Sequence, residues 1–381
     1  MRILIATVTA GAGHLQAAAA LEEVWRSLRP RDLVERLDVL DFTPRLYRKV
    51  YVESYVKVVE HAPELWAHVF KKTDNPALAR KLRRFRRGIT QLVTNKFVKQ
   101  LKKSKPEAVL CTHYMPLEII GRLKDKTPRH PPPLTVSIVT DFEAHALWME
   151  PGVDLYCVAA EETKARLVAR GVQARDVVVT GIPVSAKFSV EPQPAEVRKR
   201  LGLRDDLPVL LVLGGGFGMG PVAEILEQLN KLERLVQVVV VCGRNEELRR
   251  ELAVQERKHP THVLGFVTNM HELMAVADLI VTKPGGLTSS EALAMGKPLF
   301  VLNPIPGQEA ANSDFLLGHG AAAKANRVED LPYRLEKLLG SSRLTEMASA
   351  ARALGKPNAA VEICREVLAR LDAKLRAGTD R

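Results

Sequence analysis

Short runs of β-branched and aliphatic residues recur along this chain, each separated from the next by a longer helix-forming stretch, and that alternation leaves few folds open. A strand buried on both faces needs a continuous apolar run, and a parallel neighbour needs a helix to carry the chain back. The order therefore predicts doubly wound parallel sheets covered by helices, an α/β fold. Such runs are read at Arg2–Thr7, Val34–Asp41, Ala108–His113, Leu134–Asp141, Leu155–Ala159 and Val177–Gly181 in the first half. In the second half they fall at Pro208–Gly214, Gln237–Cys242, Thr261–Leu264, Leu279–Thr282 and Pro298–Leu302. Between the two sets, GIPVSAKFSVEPQPAEV contains three prolines and reads as a linker. At 381 residues the chain exceeds one ordinary core, so two Rossmann-like domains are expected, 1–185 and 186–360. Residues 361–381 read as a C-terminal helix expected to pack back toward the first domain.

Charge is the informative part of the composition. The net charge is +12, and the segment from Lys71 to Lys105 alone holds 13 Lys or Arg against the single acid Asp74. That segment equals the whole excess, so a basic stripe lies on an otherwise neutral protein. It includes Arg83, Arg84, Arg86 and Arg87, followed by an amphipathic stretch with Ile89, Leu92, Val93, Phe97 and Leu101 on one face and Lys96, Lys99, Lys102 and Lys103 on another. One basic amphipathic helix from Ala77 to Lys103 fits an anionic membrane surface. Nucleic acid is the competing partner and is not expected, because no RNA-binding sheet motif, zinc finger or helix-turn-helix is present. Upstream, Tyr47, Tyr51 and Tyr55 recur every fourth residue, a stripe that fits a core face or a water–lipid boundary. No apolar run is long enough to cross a bilayer, and Met1 leads straight into the first strand, so a cytoplasmic protein is expected. The four cysteines are widely spaced and read as small buried residues.

The candidate chemistry lies at the ends of strands, where ligands bind in open α/β sheets. The first strand runs into TVTAGAGHLQAAAAL, which places Gly11 and Gly13 in a strand-to-helix turn with His14 at its rim. In the second half LLVLGGGFGMG brings Gly215, Gly216 and Phe217 between strand and helix, where backbone approaches a phosphate closely. Arg244 in VVVVCGRN, and Phe266 with Val267 in VLGFV, occupy the next two strand ends. In VTKPGGLTSSEALAMG, residues Gly285, Gly286, Leu287 and Thr288 open a helix whose N–H groups face a diphosphate, and Glu291 is placed to accept two hydrogen bonds from a ribose diol. Gln308, Glu309 and Asn312 in NPIPGQEAANSDFL are expected to bond sugar hydroxyls.

Taken in order, GAGHLQAAAAL, VTDFEAHALW, VVVVCGRN, VTKPGGLTSSEALAMGKP and PIPGQE resemble the bacterial diacylglycerol glycosyltransferases and the plastid monogalactosyldiacylglycerol synthases. The likeness runs from Arg2 to about Val367. It implies a glycosyltransferase B fold: an N-terminal domain for the lipid acceptor, a C-terminal domain for the UDP-sugar, and a cleft between. It implies an inverting transfer of glucose or galactose from UDP-hexose to the free hydroxyl of diacylglycerol, peripherally on the inner face of the cell membrane. No cofactor and no metal is expected, the UDP-sugar being a co-substrate.

By the same resemblance His14 is the general base, and Asp141, His145 and Trp148 lie beside the acceptor pocket, Asp141 being assigned to catalysis. Phe266 reads uracil through its backbone, Glu291 holds ribose, and Gln308 and Glu309 hold the donor sugar. Ser185 stands where relatives carry an arginine, which removes one expected donor contact. Three other readings compete. One is an N-acetylglucosamine transferase acting on a polyprenyl-linked lipid. Another is an oxidoreductase using GAGHLQA with Asp38 or Asp41 on a ribose. The last is a lipid-surface module without catalysis.

Overall fold

The computed structural model describes residues 1–9, 11–126, 132–190, 193–214 and 221–379, which fall into two compact units. The first is built chiefly from Met1–Ala186 with the chain from Asn358 on. Its elements are β1 (Arg2–Thr7), α1 (Ala12–Leu28), β2 (Leu33–Asp38), α2 (Arg45–His61), α3 (Pro63–Thr73), α4 (Pro76–Val93), α5 (Asn95–Ser104), β3 (Ala108–Cys111), α6 (Tyr114–Lys126), β4 (Leu134–Ile138), β5 (Leu155–Val158), α7 (Glu161–Ala169) and β6 (Val177–Val179). The six strands are parallel, in the order β2-β1-β3-β4-β5-β6.

Alternation along β1 builds two cores. Ile3 and Ile5 pack with Leu21 and Trp25 of α1, while Leu4 and Ala6 pack with Phe97 and Leu101 of α5 and Ile119 and Ile120 of α6. Because β1 pairs with both β2 and β3, the chain reverses its direction of growth there, the place above whose strand ends ligands bind in open α/β sheets.

Local chemistry sets the element boundaries. The strand read as Val34–Asp41 stops at Asp38, whose carboxylate accepts the Leu40 N–H and starts a short 3₁₀ turn. The single helix expected from Ala77 to Lys103 is two helices, α4 and α5. They part at Thr94, a buried residue whose hydroxyl donates to the Thr90 carbonyl at 2.6 Å. Asn75 caps α4 by accepting from the amides of Ala77 and Leu78.

The second unit holds α8 (Pro194–Leu201), β7 (Val209–Leu213), α9 (Val222–Leu229), β8 (Gln237–Val241), α10 (Glu246–Ala253), β9 (Thr261–Leu264), α11 (Met270–Val276), β10 (Leu279–Thr282), α12 (Gly286–Ala294), β11 (Leu299–Leu302), α13 (Gln308–Gly318), β12 (Ala322–Ala325), α14 (Leu331–Leu339) and α15 (Arg343–Leu354). Its parallel order is β12-β11-β10-β7-β8-β9, with the reversal between β7 and β10. Strand β12, sequence AAKA, was not expected: alanine has little β propensity and the run is too short to show a period. Helix α12 lies close to the end of α15, since a Cβ at Gly355 would stand 2.3 Å from the Leu293 carbonyl oxygen.

The last helix, α16 (Ala359–Thr379), returns to the first unit, where Ile363, Val367 and Leu371 join the core beside α1. All four cysteines are free and buried. No helix among the described residues is long and apolar enough to cross a membrane.

Candidate active site

Helix α1 begins at Ala12, so Gly13 and His14 lie inside its first turn, and Gly11 is the residue that precedes the helix. The expected turn is therefore shorter, and His14 is carried on a rigid element at the reversal of the sheet. Its Nδ1 lies 2.7 Å from the carbonyl oxygen of Thr112, just beyond β3, and 3.0 Å from the Thr140 hydroxyl beyond β4. A carbonyl only accepts, so Nδ1 carries the proton and Nε2 keeps its lone pair. The Thr112 hydroxyl donates to the His14 carbonyl, closing a second link between the two segments. The ring meets His113 edge-on at 4.9 Å.

Burial lowers the His14 pKa below its ordinary 6.5, while the nearby Asp141 carboxylate and the Thr112 carbonyl oppose that shift. The imidazole is thus neutral near pH 7 and has an anion close enough to favour the protonated form once it arises. His113 is driven much lower, by burial and then by His14, and stays neutral. Sequence reasoning missed Thr112 and Thr140; the only cue was a polar residue at the end of an apolar strand.

Three residues expected beside the acceptor have structural surroundings instead. His145 uses both ring nitrogens: Nε2 bonds the Phe70 carbonyl at 3.1 Å and Nδ1 accepts the Leu147 N–H at 3.1 Å, pinning α3 to the loop after β4. Trp148 is 5% exposed within the core that includes Phe97 and Tyr156. Tyr51 stacks on Tyr47 and lies 3.2 Å, hydroxyl to hydroxyl, from Tyr114, so the tyrosine stripe serves the core there.

The arginines expected on a membrane surface turn inward. Arg86 bonds Glu150 at 2.7 Å, with Arg83 at 3.6 Å and Arg87 at 3.5 Å from the same carboxylate, whose side chain is only 2% exposed. Arg86 also lies 3.7 Å from Glu118. Burial raises Glu118 to about 7, a shift that Arg86 opposes and Glu150 reinforces. The reason is electrostatic: two acids already inside the fold need cations beside them, and α4 supplies them. Glu118 and Glu150 gave no sequence signal, since each stands alone in an apolar context. Lys71, Lys72, Arg80, Lys81, Lys96, Lys99, Lys102 and Lys103 remain exposed, as do Leu65, Val69, Leu82 and Leu92. The side chain of Arg84 and residues Gly215, Gly216 and Phe217 lie outside the described residues.

In the second unit the reversal between β7 and β10 places the PGG turn. Gly285 precedes α12, whose first intrahelical bond runs from the Ser289 N–H to the Gly285 carbonyl. The amides of Gly286, Leu287 and Thr288 therefore have no partner within the helix and point out of its positive end. One turn on, Glu291 has no hydrogen-bond or ion-pair partner among the described residues, and burial alone raises it to about 8. Arg244 and Phe266 come together at the ends of β8 and β9, guanidinium over ring at 5.5 Å, with Phe266 59% exposed and Val267 beside it.

Helix α13 is partly structural. Glu309 accepts the Ile305 N–H at 2.8 Å and so holds the PIPGQ turn that positions Gln308. Asn312, expected to meet a sugar, is fully buried and donates to the Pro284 carbonyl at 3.1 Å, fastening α13 to the PGG turn. The oxidoreductase reading fails at its acids. Asp38 is occupied by the amides of Thr9 and Leu40, and Asp41 is paired with Arg48.

The chain is similar to known proteins along most of its length. Residues 14–184 match the family model for monogalactosyldiacylglycerol (MGDG) synthase, and residues 209–363 match that for the glycosyltransferase family 28 C-terminal domain. A processive diacylglycerol beta-glucosyltransferase of Bacillus pumilus is 31% identical over 376 residues, which is 97% of this chain and 95% of that one. The chain belongs to the diacylglycerol glycosyltransferase family. A second member, from Bacillus cereus, is 31% identical to the transferase over 379 residues, covering 97% of it and 93% of the relative. Among solved structures, MurG of Acinetobacter baumannii matches the transferase with a TM-score of 0.61 at 18% identity, over 96% of this chain and 99% of that one. A UDP complex of MnaA from S. aureus matches with a TM-score of 0.63 at 14% identity, over 97% of each chain. These likenesses show the glycosyltransferase B fold for the transferase.

Proposed function

We propose that this transferase moves a hexose from a UDP-sugar to the free hydroxyl of diacylglycerol at a membrane surface, with inversion at the anomeric carbon. The observation that carries the reading is the His14 imidazole, held by the Thr112 carbonyl with its Nε2 lone pair kept for a proton. As the lipid hydroxyl attacks, its oxygen bonds to the anomeric carbon, its proton passes to Nε2, and the bond from that carbon to the UDP oxygen breaks. Asp141 stabilises the imidazolium so formed. The added negative charge on UDP is met by the amides that open α12. Glu291 holds the ribose, Phe266 and Val267 the uracil, and Gln308 the sugar. Diphosphate stabilisation by helix amides assigns no role to a divalent metal.

The beta-glucosyltransferase activity for which the Bacillus relatives are named supports glucose as the hexose and a β-linked product. The exposed lysines of α3 to α5, with Leu65, Val69 and Leu92 among them, support attachment to an anionic bilayer at the cytoplasmic face.

The test is a product assay with UDP-glucose, UDP-galactose and UDP-N-acetylglucosamine, each offered with diacylglycerol in anionic liposomes and with EDTA present. A β-glucosyl diacylglycerol is expected. Transfer only of N-acetylglucosamine, only to a polyprenyl-linked acceptor, or only after a divalent metal is restored would overturn the respective part of the reading.

A further inference from the structure

Far from the proposed donor residues, the second unit carries a groove of about 500 Å³ along its edge strand β12. Phe300, Leu317 and Leu338 make an apolar floor. Lys324, Arg334, Lys337 and Arg343 stand around it, and its lining includes no acid. None of these four cations has an ion-pair partner among the described residues. Tyr333 adds a ring that is 69% exposed, with Lys337 5.8 Å from its centroid. Helix α13 starts at Gln308 and reaches the groove at Leu317, nine residues on, so about 14 Å separates the groove from the residues assigned to the sugar.

Four like charges around one groove repel one another; water and salt screen that repulsion at these largely exposed side chains, and a bound anion relieves it further. The apolar floor adds a second demand, for a ligand with a hydrocarbon part, and the volume is that of a small-molecule site. An added β-strand from an acidic peptide is disfavoured, because Lys324 on β12 obstructs pairing at that edge. Exposed tyrosine beside Lys and Arg is the pattern of a water–lipid boundary.

We propose that this groove holds the phosphodiester headgroup of an anionic phospholipid of the bilayer, with its glyceryl and first methylene groups on Leu317 and the Tyr333 ring. The inference rests on the reading that the transferase works at a membrane, and it adds a lipid contact on the second unit to the basic stripe on the first.

The test is amine acetylation of the full chain read by mass spectrometry, lysine by lysine, with phosphatidylglycerol vesicles, phosphatidylcholine vesicles, or inorganic phosphate at equal phosphorus. With phosphatidylglycerol tenfold above half-saturation, Lys337 should be acetylated about tenfold more slowly, and neither phosphatidylcholine nor inorganic phosphate should protect it. In the double variant Arg334→Ser, Arg343→Ser, protection of Lys337 should fall severalfold while that of Lys99 persists and the melting temperature is unchanged. Unprotected Lys337 in phosphatidylglycerol vesicles that do protect Lys99 would overturn the proposal. Equal protection by inorganic phosphate would overturn the lipid assignment, and unchanged protection in the double variant would overturn the groove. The footprint needs no sugar transfer, so its outcome is separable from that of the product assay.

Discussion

His14 is fixed by Thr112: the ring Nδ1 donates to the Thr112 carbonyl across 2.7 Å, joining the end of β3 to the first turn of α1. The bond sets the tautomer, leaves the Nε2 lone pair uncommitted, and holds the ring in place before any substrate arrives. Such preorganisation is what a general base needs, since reorienting the ring during the reaction would add to the barrier.

His14→Ala should lower kcat by about 10²–10⁴-fold and leave UDP affinity nearly unchanged, because the base acts in the transition state. Since burial lowers the His14 pKa, the acid limb of kcat/KM should turn below pH 6.5 and the rate should be level through pH 7. Turnover above roughly half that of the wild type in His14→Ala would withdraw the assignment.

Glu291 makes a prediction whose size grows with pH. Its carboxyl is raised from 4.5 to about 8 in the folded chain by burial, so between those values the native state binds a proton that the unfolded chain has lost. Stability should therefore fall as pH rises through that window. Glu291→Gln, neutral at every pH, should match the wild type near pH 5 and melt roughly 2–6 °C higher near pH 9. Equal melting curves at both pH values would show that the carboxyl is hydrated. Glu291→Ala should also weaken UDP binding, measured by calorimetry.

The inward turn of α4 is tested through its acid. Glu150→Gln leaves Arg83, Arg86 and Arg87 without their shared counter-charge, and should destabilise the first unit by about 3 kcal/mol in urea unfolding. Arg86→Ser should likewise reduce stability, with little effect on vesicle attachment. A strong loss of attachment with unchanged stability in Arg86→Ser would return this arginine to the surface.

The proposed membrane attachment is tested through the exposed lysines of α5. Replacing Lys96, Lys99, Lys102 and Lys103 with Ser should weaken binding to phosphatidylglycerol vesicles by on the order of 10²–10³-fold, with less effect on neutral vesicles. Wild-type attachment should fade as salt rises, through screening. Sedimentation of this variant with anionic vesicles equal to that of the wild type, at low and high salt alike, would make the stripe a solvated face.

How much of this was legible follows from what kind of information each feature needs. Apolar runs such as RILIAT and VLLVL declare buried strands because burial on both faces leaves no room for polar residues, and eleven of the twelve strands were read in that way. Glycine-bearing strand ends, with His14 and Glu291 beside them, stood out as candidates because a tight approach to an anion demands particular residue types at particular places. Strand β12 was not, since AAKA is a strand only by virtue of pairing with β11. Nor could periodicity tell which way Arg86 points, because an amphipathic helix specifies a face and not the partner it meets. Glu150, 64 residues away, decides that. The same holds for Asn312, drawn inside by the Pro284 carbonyl, and for the tautomer of His14, set by a backbone carbonyl 98 residues distant. Local sequence determined which segments become strands and helices and which residue types stand at their ends. Only the tertiary structure decided which of those side chains are satisfied inside the protein and which are left for a ligand, because that depends on long-range neighbours that no local pattern encodes.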